Sequence, residues 1–137
     1  MARVSEALRI LVFTRADNRC EYCLIHSNYS YFSFHIEHII SLKHGGETIP
    51  DNLALACPIC NLNKGTDIAT MIQSGKDLIR FYNPRADKWA DHFLLGRDGF
   101  IQAKTSIGEA TIKILKLNHP DSIIERKEML GRKLLST

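Results

Sequence analysis

The sequence predicts an α+β fold, and three observations carry that prediction. Apolar residues recur at helical spacing near both ends of the chain, and short apolar runs bounded by turn residues fill its middle. All four cysteines fall in two Cys-x-x-Cys pairs, Cys20/Cys23 and Cys57/Cys60, which bracket that middle segment. At 137 residues the chain fits one domain over 1–137, with a core at 18–66 and an extension at 67–137. No low-complexity segment, repeat or Pro/Gly-rich linker marks a further boundary.

The first element is a helix over about residues 5–16. Ser5 can cap its first turn, and Leu8, Leu11 and Val12 share one face. It delivers the chain to Cys20. Residues 34–40 read as a strand with a turn beyond it at Gly45-Gly46, and Leu53–Ala56 reads as a second short strand. A helix then starts near Pro58, which a first turn tolerates because the missing N–H would have no partner there.

In the extension, residues 89–95 and 100–104 are strand candidates around the turn sequence Gly96-Arg97-Asp98-Gly99. Ser106 and Glu109 have capping-box spacing ahead of Ile107, Ala110, Ile114 and Leu115. Asn118-His119-Pro120 ends that helix. Ser122 and Glu125 repeat the box before a last helix carrying Ile123, Leu130 and Leu134. Trp89, Phe93 and Phe100 are expected in the core of this scaffold.

An apolar share of 45% and a charged share of 24% describe an ordinary globular protein rather than a fibre or a disordered tail. No run approaches the roughly 18 apolar residues of a membrane span. The first residues run into a segment broken by Arg9, Arg15 and Asp17, unlike a secretory signal, so a cytoplasmic protein is expected. The net charge of +3 permits a polyanionic partner without requiring one.

In a reducing compartment paired cysteines favour metal over disulfides. Two Cys-x-x-Cys knuckles can converge on one ion and complete a tetrahedral four-sulfur zinc site. A redox motif needs only one such pair, and no thioredoxin-like βαβ pattern accompanies these. Four sulfurs leave the ion no open position, so Zn²⁺ here staples rather than catalyses. The segment 24–56 between the pairs is long enough to carry structure of its own.

That segment contains Phe34-His35-Ile36-Glu37-His38-Ile39-Ile40, then His44-Gly45-Gly46, then Asp51-Asn52-Leu53. Cys57-Pro58-Ile59-Cys60-Asn61 and Lys64-Gly65 follow. A carboxylate beside an imidazole supplies a hard oxygen ligand and a base that titrates near neutrality. Asn61, early on a helix, adds a second oxygen. Two protein oxygens and several waters suit Mg²⁺, which keeps much of its hydration and binds phosphate.

From Cys20 to Gly65 the chain resembles the HNH endonuclease family, whose ββα-metal core is two strands and a helix around one metal ion. In its zinc-stapled members Cys-x-x-Cys pairs flank an acid-His-Ile segment, a Gly-Gly turn, an Asn-Leu dipeptide and a final Asn or His. Phe81-Tyr82-Asn83-Pro84-Arg85, Trp89 and His92-Phe93 are similar to a C-terminal extension of many small bacterial HNH proteins. The resemblance implies His38 as general base, Glu37 and Asn61 as ligands of a catalytic Mg²⁺ or Mn²⁺, and Asn52 as a brace for the loop that orients His38. It also places Lys64 near a phosphate. Three positions depart from the usual pattern. Glu37 stands where Asp is more frequent, Asn61 where His is, and Ser41 where proline is; the first two bear on metal preference.

The implied activity is hydrolysis of a DNA phosphodiester to 5′-phosphate and 3′-hydroxyl ends, one strand per site, so a homodimer or two successive nicks would cut both strands. His35 and His44 are further candidates for DNA contact, though packing and solvation suit them as well. His26 and His119 read as surface residues. Arg80, Arg85, Lys88, Lys113 and Lys116 could track phosphates, but scattered basic residues more often form a solvated face. The alternative is a non-catalytic zinc module that binds nucleic acid; it would need the knuckles but not Glu37, His38 and Asn61 together. RING- or LIM-type interaction fingers would need additional Cys/His pairs.

Overall fold

The computed structural model describes residues 4–72 and 75–137. Helix α1 (Glu6–Arg15) opens it, with Ser5 Oγ accepting from Leu8 N at 3.2 Å. An antiparallel hairpin pairs β1 (His35–His38) with β2 (Leu53–Ala56), Glu37 opposite Ala54 and His38 opposite Leu53. Helix α2 (Pro58–Lys64) leaves β2 at Cys57 and packs on both strands. The architecture is α+β, with a ββα unit at its centre.

Every residue of β2 is fully buried, because both of its edges and both of its faces are covered. Among the described residues its outer edge meets no further strand. Glu21 takes that place: its N–H donates to Leu55 O at 2.9 Å, and its carboxylate accepts from Leu55 N at 2.8 Å. Arg15 donates to Leu53 O at 2.7 Å, and Arg85, paired with Glu21, also reaches that carbonyl. An edge satisfied in this way offers no template for pairing with another chain. β1 is shorter than the sequence predicts, His35–His38 rather than residues 34–40. The Asn52 side chain takes both backbone groups of Ile40 and ends the ladder.

The extension holds two more hairpins, β3 (Ala69–Met71) with β4 (Leu78–Arg80) and β5 (Phe93–Leu95) with β6 (Ile101–Ala103). Between them, α3 (Trp89–His92) is a single helical turn where the sequence predicts strand. The indole of Trp89 donates to Tyr22 O at 2.9 Å, so a tertiary anchor overrides the local alternation. Helices α4 (Ser106–Leu115) and α5 (Pro120–Gly131) complete the chain, and α4 packs on α2 and β6.

Their caps differ from the predicted boxes by a few residues. Thr105, not Ser106, caps α4, accepting from Gly108 N at 3.1 Å; His119, not Ser122, caps α5, accepting from Asp121 N at 3.1 Å. Pro120 fills the first turn of α5, which leaves Ser122 inside the helix and buried. Phe93 is buried as expected, whereas Phe100 is 46% exposed. One buried cluster runs from Val12 through Tyr22, Leu53 and Leu55 to Phe93 and Leu115, so the extension and the ββα unit share a core.

Candidate functional site

Local geometry dictates the two knuckles. Cys57 caps α2, its Sγ accepting from Cys60 N at 3.4 Å, and Cys20 Sγ accepts from Cys23 N at the same distance. The four ligand sulfurs lie within 4.8 Å of one another, with Cys23 Sγ and Cys57 Sγ 3.5 Å apart, and all four residues are buried. A tetrahedron with Zn–S bonds of about 2.3 Å needs sulfurs spaced by about 3.8 Å, so the donors fit a structural metal such as zinc. Hydrogen bonds from Cys20, Cys23 and Cys60 hold the Cys57 pKa far below that of an ordinary thiol.

The loop from β1 to β2 is fixed by Asn52. Its Oδ1 accepts from Ile40 N at 2.9 Å, and its Nδ2 donates to Ile40 O at 2.8 Å and Glu47 O at 2.9 Å. Gly46 is required beneath this clamp, since a Cβ there would overlap the Ile40 carbonyl and crowd the Asn52 amide. The clamp carries Thr48 to His38, where Thr48 Oγ1 and His38 Nε2 lie 2.8 Å apart. His38 Nδ1 has no hydrogen-bond partner among the described residues. Burial, and after it the nearby Lys64 ammonium, holds the His38 pKa below the usual histidine value. The imidazole is therefore neutral at neutral pH, with one nitrogen anchored and the other free to take a proton.

Glu37 sits on β1 beside His38, but its carboxylate is only 5% exposed and contacts the ammonium of Lys64. Burial pushes the Glu37 pKa up, and Lys64 opposes that shift. Both carboxylate oxygens and the nearby Tyr22 hydroxyl are buried without a well-formed hydrogen bond among the described residues. Burial, then the Glu37 charge, pushes the Tyr22 hydroxyl well above its ordinary range.

Lys64 corrects one expectation. It is 2% exposed and donates to Ile39 O at 3.0 Å, so it lies under the hairpin instead of on a phosphate-facing surface. A lysine this deep needs an anion and acceptors, and β1 supplies both. Asn61 stands one turn before Lys64 and next to Cys60, half-buried, its side-chain amide unpartnered among the described residues. Glu37 and Asn61 offer hard oxygens, and a carboxylate with unfilled lone pairs suits a cation such as Mg²⁺ or Mn²⁺. His35 and His44 are exposed, the first at the start of β1 and the second on the 3-10 turn Leu42–His44.

Of the basic residues that could track phosphates, Lys113 donates to Met71 O at 2.8 Å and the two arginines are held in ion pairs. Arg80 grips Asp87 through both of its terminal nitrogens, at 2.7 and 2.9 Å, and Arg85 pairs with Glu21. Thr48 and Arg126 escape sequence reading because each acts across a long gap. Thr48 lies in a loop whose path depends on Asn52. Arg126, in α5, is fully buried and reaches Cys23 O at 3.3 Å. Burial lowers the Arg126 pKa, and the four cysteines act in the opposite direction.

The HNH endonuclease family model matches residues 20–67, which contain both knuckles, the hairpin and α2. Across 143 aligned positions the chain is 31% identical to a Vibrio cholerae serotype O1 biovar El Tor protein named "Retron Vc95 putative HNH endonuclease". That alignment covers 94% of this chain and 66% of the relative, so the chain spans a little under two thirds of the relative's length. No solved structure matches the chain.

Proposed function

We propose that this chain, whose residues 20–67 match the HNH endonuclease family model, hydrolyses DNA phosphodiester bonds with His38 as general base. The observation that supports this most is the state of His38. Its pKa is lowered, Thr48 anchors Nε2, and Nδ1 is left without a partner on a loop clamped by Asn52. A general base needs that combination of neutrality, orientation and a free lone pair.

In this mechanism Nδ1 of His38 takes a proton from a water molecule, whose oxygen attacks phosphorus in line with the departing 3′ oxygen. Thr48 holds the ring so that the basic nitrogen keeps one direction. Asn52 and Gly46 keep the loop from sagging away from β1. Glu37 and Asn61 would hold a divalent ion, Mg²⁺ or Mn²⁺, which when bound stabilises charge developing on the phosphate. Lys64 steadies the Glu37 carboxylate from below. A zinc ion held by the four cysteine sulfurs would have no open position for the chemistry and would keep α2 against the hairpin.

The partner is DNA and the site acts on one strand at a time; cutting both strands takes a homodimer or a second nick. Among the described residues no helix is long and apolar enough to cross a membrane; a cytoplasmic location is part of the proposal. We read residues 1–137 as one domain. The Glu37–Lys64 pair favours a second reading, a zinc-stapled module that binds nucleic acid without cutting it. Supercoiled plasmid incubated with the zinc-loaded protein separates the two. Nicked circles that require added Mg²⁺ or Mn²⁺ and vanish with EDTA support the nuclease. Retarded but uncut plasmid under every metal supports the binding module.

A further inference from the structure

Among the described residues the most deeply buried cation lies outside the hairpin. Arg126, in the middle of α5, has no exposed surface. Its guanidinium donates to Gly99 O at 2.7 Å, Leu117 O at 2.7 Å, Asn118 Oδ1 at 3.2 Å and Cys23 O at 3.3 Å. All four acceptors are neutral. Among the described residues no carboxylate forms a salt bridge with it, whereas Lys64, the other buried cation, has Glu37. A buried charge without an opposite charge is strongly unfavourable, and neutral acceptors offset only part of that cost.

The carbonyl of Cys23 locates the missing charge. It belongs to a knuckle whose sulfurs, once they are thiolates around one divalent ion, carry a net charge of −2. We propose that Arg126 is the built-in counter-ion of this tetrathiolate centre and couples metal loading to the docking of α5. The attraction runs through a low-dielectric interior, so it acts in both directions. Metal binding favours the seated helix, and the seated helix tightens metal binding. The planar fork of arginine suits the post because it reaches three loop carbonyls and a side-chain amide while keeping its charge. A knuckle in the ββα unit and a helix near the end of the extension thereby become one cooperative element.

The test is a chelator competition on the zinc-loaded full chain, comparing wild type with Arg126→Met, Arg126→Lys and Met129→Ala. Met129 is fully buried on the same helix and carries no charge, so Met129→Ala reports packing loss alone. Arg126→Met should weaken apparent zinc affinity about tenfold or more, the range seen when groups supporting a metal site are removed. Arg126→Lys should keep most of the affinity, and Met129→Ala should melt earlier with a much smaller loss of zinc affinity than Arg126→Met. Wild-type affinity in Arg126→Met, or equal losses in Arg126→Met and Arg126→Lys, would overturn the proposal. If Arg126→Met does not fold, the lysine variant decides. Zinc held as tightly as in Met129→Ala supports a charge role, and weaker retention refutes it.

Discussion

Thr48 Oγ1 stands 2.8 Å from His38 Nε2, which makes a loop hydroxyl the anchor of the imidazole that we propose as general base. Only one ring nitrogen is engaged among the described residues, so in the proposed mechanism Nδ1 is the nitrogen left for the proton. Thr48→Val keeps the shape and deletes the anchor. It should slow cleavage by about tenfold, the rate equivalent of roughly one hydrogen bond, with zinc content and melting temperature near wild type. A cleavage rate equal to wild type would show that the contact does not orient the base.

The pH profile follows from the lowered pKa of His38. A general base works in its neutral form, so a lowered pKa extends activity toward acid. The rising limb of the cleavage rate should be centred below about pH 6.5, the ordinary histidine value. The stability effect has a matching sign. Protonation is disfavoured in the fold, so the contribution of His38 is complete above the unfolded-state value and falls away as pH drops below it. A limb centred above the ordinary value would contradict the burial of this ring.

Lys64 should behave as a structural cation. Lys64→Met leaves Glu37 buried without its partner, a loss of about 3–5 kcal/mol by urea unfolding. The double variant Glu37→Gln/Lys64→Met should regain much of that stability. Because Lys64 faces the core, the salt dependence of DNA binding should not change in Lys64→Met. A shallower salt slope with unchanged stability would return Lys64 to the phosphate surface.

The Asn52 clamp can be tested with an isosteric change. In Asn52→Asp the two donated bonds, to Ile40 O and Glu47 O, become carboxylate oxygens facing carbonyls. Stability should fall by about 1–3 kcal/mol, since two carbonyls lose their donor and face a carboxylate instead, and cleavage should fall further than it does in Thr48→Val. Unchanged unfolding would mean the loop is held by something else.

Much of this arrangement is readable in the sequence because it is local. Cys-x-x-Cys spacing, the apolar run Leu53–Ala56 and a proline at the start of α2 depend on near neighbours, and they appear where they are predicted. Thr48 is not readable as a partner of His38, since its position depends on the side chain of Asn52. Lys64 misleads because a lysine on a short helix ordinarily faces water; only the carboxylate on β1 makes its burial tolerable. Trp89–His92 alternates like a strand yet turns helical where its indole finds Tyr22 O. Ser106 and Thr105 are both good caps, and composition cannot choose between neighbours.

The most direct measurement compares wild type and His38→Ala for nicking of supercoiled plasmid in Mg²⁺ and Mn²⁺, with zinc content and melting temperature recorded on the same samples. The account predicts that nicking disappears in His38→Ala while zinc and melting temperature stay at wild-type values. Nicking at the wild-type rate in that variant would contradict it.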